Sequence, residues 1–147
     1  MKIFTLIIVA FFNMNSCSSE KASQVGKQYI EKITFQNWVG GVKGAGGGTI
    51  LNIILLKSLP SNMELVKIHF QEREASITKL NDLSYQSSIR RFENMDETVH
   101  MPTIKTGLKD NQAKIFFKID GKENFLIIDD VKEIPMIMYP SAKPRNN

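Results

Sequence analysis

Cysteine is nearly absent from this chain: Cys17 stands alone. That rules out a disulfide within the chain, and with only two histidines it leaves too few ligands for a zinc site. No apolar run is long enough to span a bilayer as a helix. Ile3 to Phe12 reaches about half of the roughly 20 residues such a helix needs. No stretch keeps an apolar helical face for three turns, which argues against a helical bundle. Basic residues are dispersed among acids, and Arg90-Arg91 is the one adjacent basic pair. On a strand those two side chains point to opposite faces, so no nucleic-acid footprint forms. A nucleotide fold is excluded in the same way. The glycine run GGVKGAGGGT, 40 to 49, has no Gly-Lys-Ser/Thr, and a strand follows it where a dinucleotide site needs a helix.

What the chain has in abundance is alternation. In ELVKIHF, Val66, Ile68 and Phe70 alternate with Leu65, Lys67 and His69; in KIFFKID, Ile115, Phe117 and Ile119 alternate with Lys114, Phe116 and Lys118. A period of two is the mark of half-buried strands. Strands are expected near 30–39, 49–57, 63–71, 75–80, 83–92, 112–120, 123–131 and 135–139. Asp120-Gly121 is a strong hairpin signal because it tolerates positive φ, and Asn81-Asp82 and Leu59-Pro60-Ser61-Asn62 mark further reversals. ILNIILL, 50 to 56, is apolar on both faces apart from Asn52 and suits a central strand. Pro135 and Pro140 make the last strand short and place it at an edge. The expected fold is all-β: an antiparallel β-sandwich, Ig-like or similar, of about seven or eight strands. At 147 residues the chain suits one domain with a hydrophobic core sufficient without covalent staples.

The N-terminus reads differently. Lys2 precedes the apolar run and small residues follow it, the form of a secretory signal peptide. Around the cysteine, NMNSCSSE resembles the lipobox of bacterial lipoproteins: Ser16 is the small residue before Cys17, while Met14 and Asn15 depart from the usual aliphatic-then-small pair. FQNWVGGVKGAGGGT and EIPMIMYPSAKPRN also resemble segments of small uncharacterised lipoproteins of the Bacteroidota. The resemblance implies cleavage before Cys17, acylation of its sulfur and amine with palmitate-type chains, and residence in the cell envelope. More than one chain is needed for stable anchoring. On this reading residues 1–16 are a cleaved signal peptide, 17–28 a lipid anchor and flexible tether, and 29–147 the β-sandwich domain. Loss of Lys2 with the signal lowers the formal charge from +4 to +3. Ser18 after the cysteine, with the single acid Glu20 nearby, points to the periplasmic face of the outer membrane, with surface exposure as the alternative.

Function is less legible. Ser76-Ile-Thr-Lys79 and Lys105-Thr-Gly107 mimic motifs of penicillin-binding proteins, but Ser76 lies in a strand and not at a helix start. His69 alternates with core residues and faces outward. His100-Met101 with Met136 and Met138 make a sparse set of soft copper ligands. The acids at Glu93, Asp96, Glu97, Asp129, Asp130 and Glu133 lack the spacing of a calcium loop. No metal, cofactor or catalytic residue is assigned. The leading expectation is a lipid-anchored envelope protein with a non-catalytic binding or structural role. Its partners are membrane lipid through Cys17 and an envelope protein or glycan. The alternative is a carbohydrate- or peptide-binding module using the glycine loop and the 93–111 segment, with Trp38, Gly44, Gly46, Gly47, His100 and Met101 as its ligand surface; an enzyme ranks third. Segment 93–111 is long for a loop, and Thr98 to Lys105 also reads as a further strand broken by Pro102.

Overall fold

A computed structural model describes residues 18–41, 46–91 and 103–138. One helix, α1 (Ser18–Lys27), precedes eight strands: β1 (Ile30–Val39), β2 (Gly47–Leu55), β3 (Met63–Phe70), β4 (Arg73–Asn81), β5 (Ser84–Arg91), β6 (Ala113–Ile119), β7 (Lys122–Ile128) and β8 (Lys132–Met138). Each strand falls where the alternation places one. They form one sheet in the order β7-β6-β3-β4-β5-β2-β1-β8. The sheet is curled into a half-barrel, not divided into the two sheets of a sandwich.

One contact shows the curl. The rings of Phe35 on β1 and Phe70 on β3 lie 5.0 Å apart. Four strand spacings separate β1 from β3, which in a flat sheet is about 19 Å. The two halves must therefore bend toward each other, and the core fills the concavity: Ile33, Leu51, Ile53, Ile68, Phe70, Ile115, Phe117 and Leu126 are wholly buried. Each large apolar side chain of this kind contributes about 1.5–3 kcal/mol by leaving water.

The bend centres on β4, which changes neighbours halfway. Arg73 to Ser76 pair with β3, and Ile77 to Asn81 pair with β5. Ser87, buried, caps the changeover by donating its hydroxyl to the Ser76 carbonyl at 2.8 Å.

Two features depart from the sequence reading. The last strand is an edge strand, as Pro135 requires, but it lies parallel to β1, whereas the sequence suggested antiparallel pairing throughout. A parallel neighbour needs a long crossover, and here most of the domain intervenes. The register slips by one residue at Pro135, between the Gln36–Ile134 and Trp38–Ile137 pairs, and the Gln36 amide fills the break by donating to the Pro135 carbonyl at 2.6 Å. The second departure is at the N-terminus. Where composition suggests a flexible tether, Ser18–Lys27 is helical. Gly26 is the reason: a Cβ there would stand 2.6 Å from Leu126 Cδ2 and 2.9 Å from Phe117 Cζ. Bare backbone thus seats the helix on β6 and β7. Tertiary contact stabilises a helix too short and polar to hold alone.

Three hairpins show different turn chemistry. Asp120-Gly121 joins β6 to β7 with positive φ at both residues (50° and 76°), as read from sequence. Asn81 accepts from the Leu83 backbone N–H at 2.9 Å in the β4–β5 turn. The β3–β4 turn, Gln71-Glu72, also has positive φ at both residues (48° and 59°) but carries neither glycine nor asparagine. The conformation fits a two-residue turn that matches strand twist, at a steric cost for side chains with a Cβ. Ile104 N–H donates to the Glu72 carbonyl at 2.8 Å and braces it. Replacing Glu72 with glycine relieves that cost. Glu72→Gly is expected to raise stability by about 1 kcal/mol, seen as a higher urea midpoint at unchanged slope; a lower midpoint would show that the side chain supports the turn.

Candidate functional site

The change of partner in β4 leaves a gap on each side of it. Below the changeover, β4 leaves β5, and between Arg73–Ser76 and Ser88–Arg90 lies a cleft of about 570 Å³, closed at one end by Ile104. Above it, β4 leaves β3, and a second cleft of about 370 Å³ opens among Met63, Leu65, Ile77, Lys79, Asp82 and Tyr85. Both volumes fall in the range of small-ligand sites. The second is crossed by the Lys79–Asp82 ion pair at 2.7 Å.

The larger cleft has the more distinctive chemistry. Two arginines, Arg73 and Arg90, stand on opposite walls, and Glu74 is the carboxylate among the described residues that line it. That carboxylate is already engaged. His69 Nε2 lies 2.6 Å from it and Lys67 Nζ 3.0 Å. An ionised carboxylate only accepts, so Nε2 carries the hydrogen. The His69 hydrogen bond, then that of Lys67, holds Glu74 below its ordinary value of 4.5. His69 sits on the outer face, as alternation implies, but it is packed against Phe116 at 4.6 Å and its side chain is only 12% exposed. With Glu74 occupied, Arg90 is left as an exposed cation on the rim of the cleft.

Trp38 lies two strands beyond β5 on the same outer face. In register, Trp38 faces Gly48 across β1–β2, and Gly48 faces Arg90 across β2–β5. The indole lies over Gly48, where a Cβ would meet Trp38 Nε1 at 2.7 Å and the Ile89 carbonyl at 2.5 Å. Trp38 is half-buried; its ring packs on its own sheet instead of standing free as a platform. Gly46 and Gly47 end the β1–β2 loop. Gly46 has φ 71°, and its carbonyl accepts from the Gly40 N–H at 2.9 Å. This is the hairpin loop that the glycine run suggests.

The structure therefore joins Trp38 and the glycine hairpin to the arginine cleft through Gly48, and brings Ile104 of the 93–111 segment to the same place. Residues 103–108 carry no strand or helix. Cys17, Gly44, His100 and Met101 lie outside the described residues. Met136 and Met138 are exposed on β8. Among the described residues no cluster of metal-ligating side chains forms, and no helix is long and apolar enough to cross a membrane. Arg73, Glu74 and Arg90 were missed in the sequence because the cleft they line exists only where β4 leaves β5. The adjacent Arg90-Arg91 pair was visible, but nothing local shows that Arg90 faces a cleft.

Two outcomes follow. Gly48→Ala forces a Cβ against a backbone carbonyl and is expected to cost about 2–3 kcal/mol in urea unfolding; a cost near zero would show that the indole and the β5 backbone yield freely. For Glu74, the folded state favours the ionised form, so its contribution to stability is complete above pH 4.5 and is lost as pH falls through the lowered value. Glu74→Gln should flatten that part of the acid-unfolding profile, and an unchanged profile would rule Glu74 out as its source. No known protein family matches the chain, and neither a curated protein nor a solved structure matches it.

Proposed function

We propose that the protein is a lipid-anchored, non-catalytic binding protein of the cell envelope, held on the periplasmic face of the outer membrane, and that the cleft between β4 and β5 is its ligand site. The observation that carries the binding role is the exposed Arg90 on the wall of a concave site whose one carboxylate among the described residues is already held by His69 and Lys67. Such a site attracts an anionic group. Support for the anchor comes from the residues around Cys17. The position of α1 suits it: the helix begins at Ser18 and is seated on β7 near its other end. Ten helical residues rise about 15 Å, so an acylated Cys17 would hold the domain close to the bilayer surface. Of the ligand surfaces considered from sequence, the glycine hairpin and the 93–111 segment retain a role as neighbours of the cleft, and Trp38 as packing beside it.

Cys17→Ala should abolish palmitate labelling and shift the protein from the membrane to the soluble fraction. Continued membrane residence of the unlabelled variant would overturn the anchor.

A further inference from the structure

The walls of the β4–β5 cleft are strands that have lost a neighbour. Arg73 to Ser76 use their ladder groups on β3, and Ser88 to Arg91 use theirs on β2. In an antiparallel strand the backbone N–H and C=O groups point alternately to the two sides. Those of Glu74, Ser88 and Arg90 turned toward the cleft have no ladder partner among the described residues, and the Ser76 carbonyl takes the Ser87 hydroxyl. The gap is closed at the changeover by the Ser87–Ser76 hydrogen bond and bordered by Ile104. Its open length matches about four residues of strand, roughly 13 Å.

We propose that this cleft binds an extended peptide segment of a partner protein, added as a strand to the exposed edges of β4 and β5, with an acidic side chain of the peptide paired to Arg90. This rests on the cleft being the ligand site. Backbone pairing supplies affinity in strand addition, and side chains supply selectivity. The charge complementarity is specific. Arg90 is exposed on the rim, and a guanidinium pairs with a carboxylate through two parallel hydrogen bonds. Among the described residues the one carboxylate lining the cleft is committed to Lys67 and His69, which leaves Arg90 to an incoming acid. A glycan fits less well, because among the described residues no aromatic ring lines the cleft and the nearby Trp38 is laid over Gly48.

The test uses the full chain carrying Cys17→Ala, which removes the anchor from the measurement. A displayed library of random heptapeptides is selected on it, and the enriched peptides are synthesised. They should carry a carboxylate among β-branched residues and slow amide hydrogen exchange within 73–76 and 88–90. Arg90→Glu should weaken binding at least about tenfold, with its melting temperature showing an intact fold, while Lys79→Glu at the other cleft should leave binding unchanged. A panel of anionic oligosaccharides forms a second arm. Absence of enriched peptides, or protection only elsewhere, overturns the peptide proposal. Saccharide protection of the same amides without peptide binding overturns it too, but retains the cleft as the ligand site. No protection of the cleft by either class removes both.

Discussion

The structure depends on one strand serving two neighbours. A single eight-stranded sheet of such short strands cannot enclose a core while flat; it has to fold over. β4 makes the fold by giving four residues to β3 and the rest to β5. The Phe35–Phe70 contact exists only because of that bend. The cost is paired backbone: at each departure a stretch of ladder ends. The Ser87 hydroxyl replaces one lost ladder bond with a side-chain bond to the Ser76 carbonyl, and because Ser87 is buried, leaving its hydroxyl unpaired would be expensive.

The gaps left by β4 are also where polar chemistry accumulates. Strand interiors are occupied by their neighbours, so a sheet has few places where charged side chains and spare backbone groups converge. A fork is one of them. Glu74 and Arg90 come from strands that diverge there, and Glu74 is drawn sideways by Lys67 and His69. The His69–Phe116 packing fixes the imidazole that holds Glu74. An outer-face row on β3 and β6 thereby sets the charge of a cleft on β4 and β5.

The remaining openings of the half-barrel are handled by small residues and local bonds. Gly26 lets α1 seat against Leu126 and Phe117, and Gly48 lets the Trp38 indole lie flat between β1 and β5. In both cases the absence of a Cβ makes the contact, so neither position is marked by hydrophobicity. At the β8 edge, Pro135 and the register slip break the line of free backbone groups, a common way of protecting an edge from further pairing.

Much of this could be read from the residues in order. The period of two in ELVKIHF and KIFFKID located β3 and β6, Asp120-Gly121 specified its hairpin, and Pro135 put β8 at an edge, because backbone geometry and side-chain alternation act over two to four residues. The Gln71-Glu72 turn was hidden, since neither residue favours positive φ and the brace comes from Ile104, distant in sequence. The helix Ser18–Lys27 was hidden because its docking residue is a glycine. The parallel placement of β8 beside β1, and the cleft that Arg73 and Arg90 both line, were beyond local reading because each depends on strands distant in the chain. The sequence alone determined the strands and most of their turns. Which strands became neighbours, where one neighbour was given up for another, and hence where a cleft exists at all, was decided by the closing of the sheet around its core, a packing constraint that no stretch of a few residues contains.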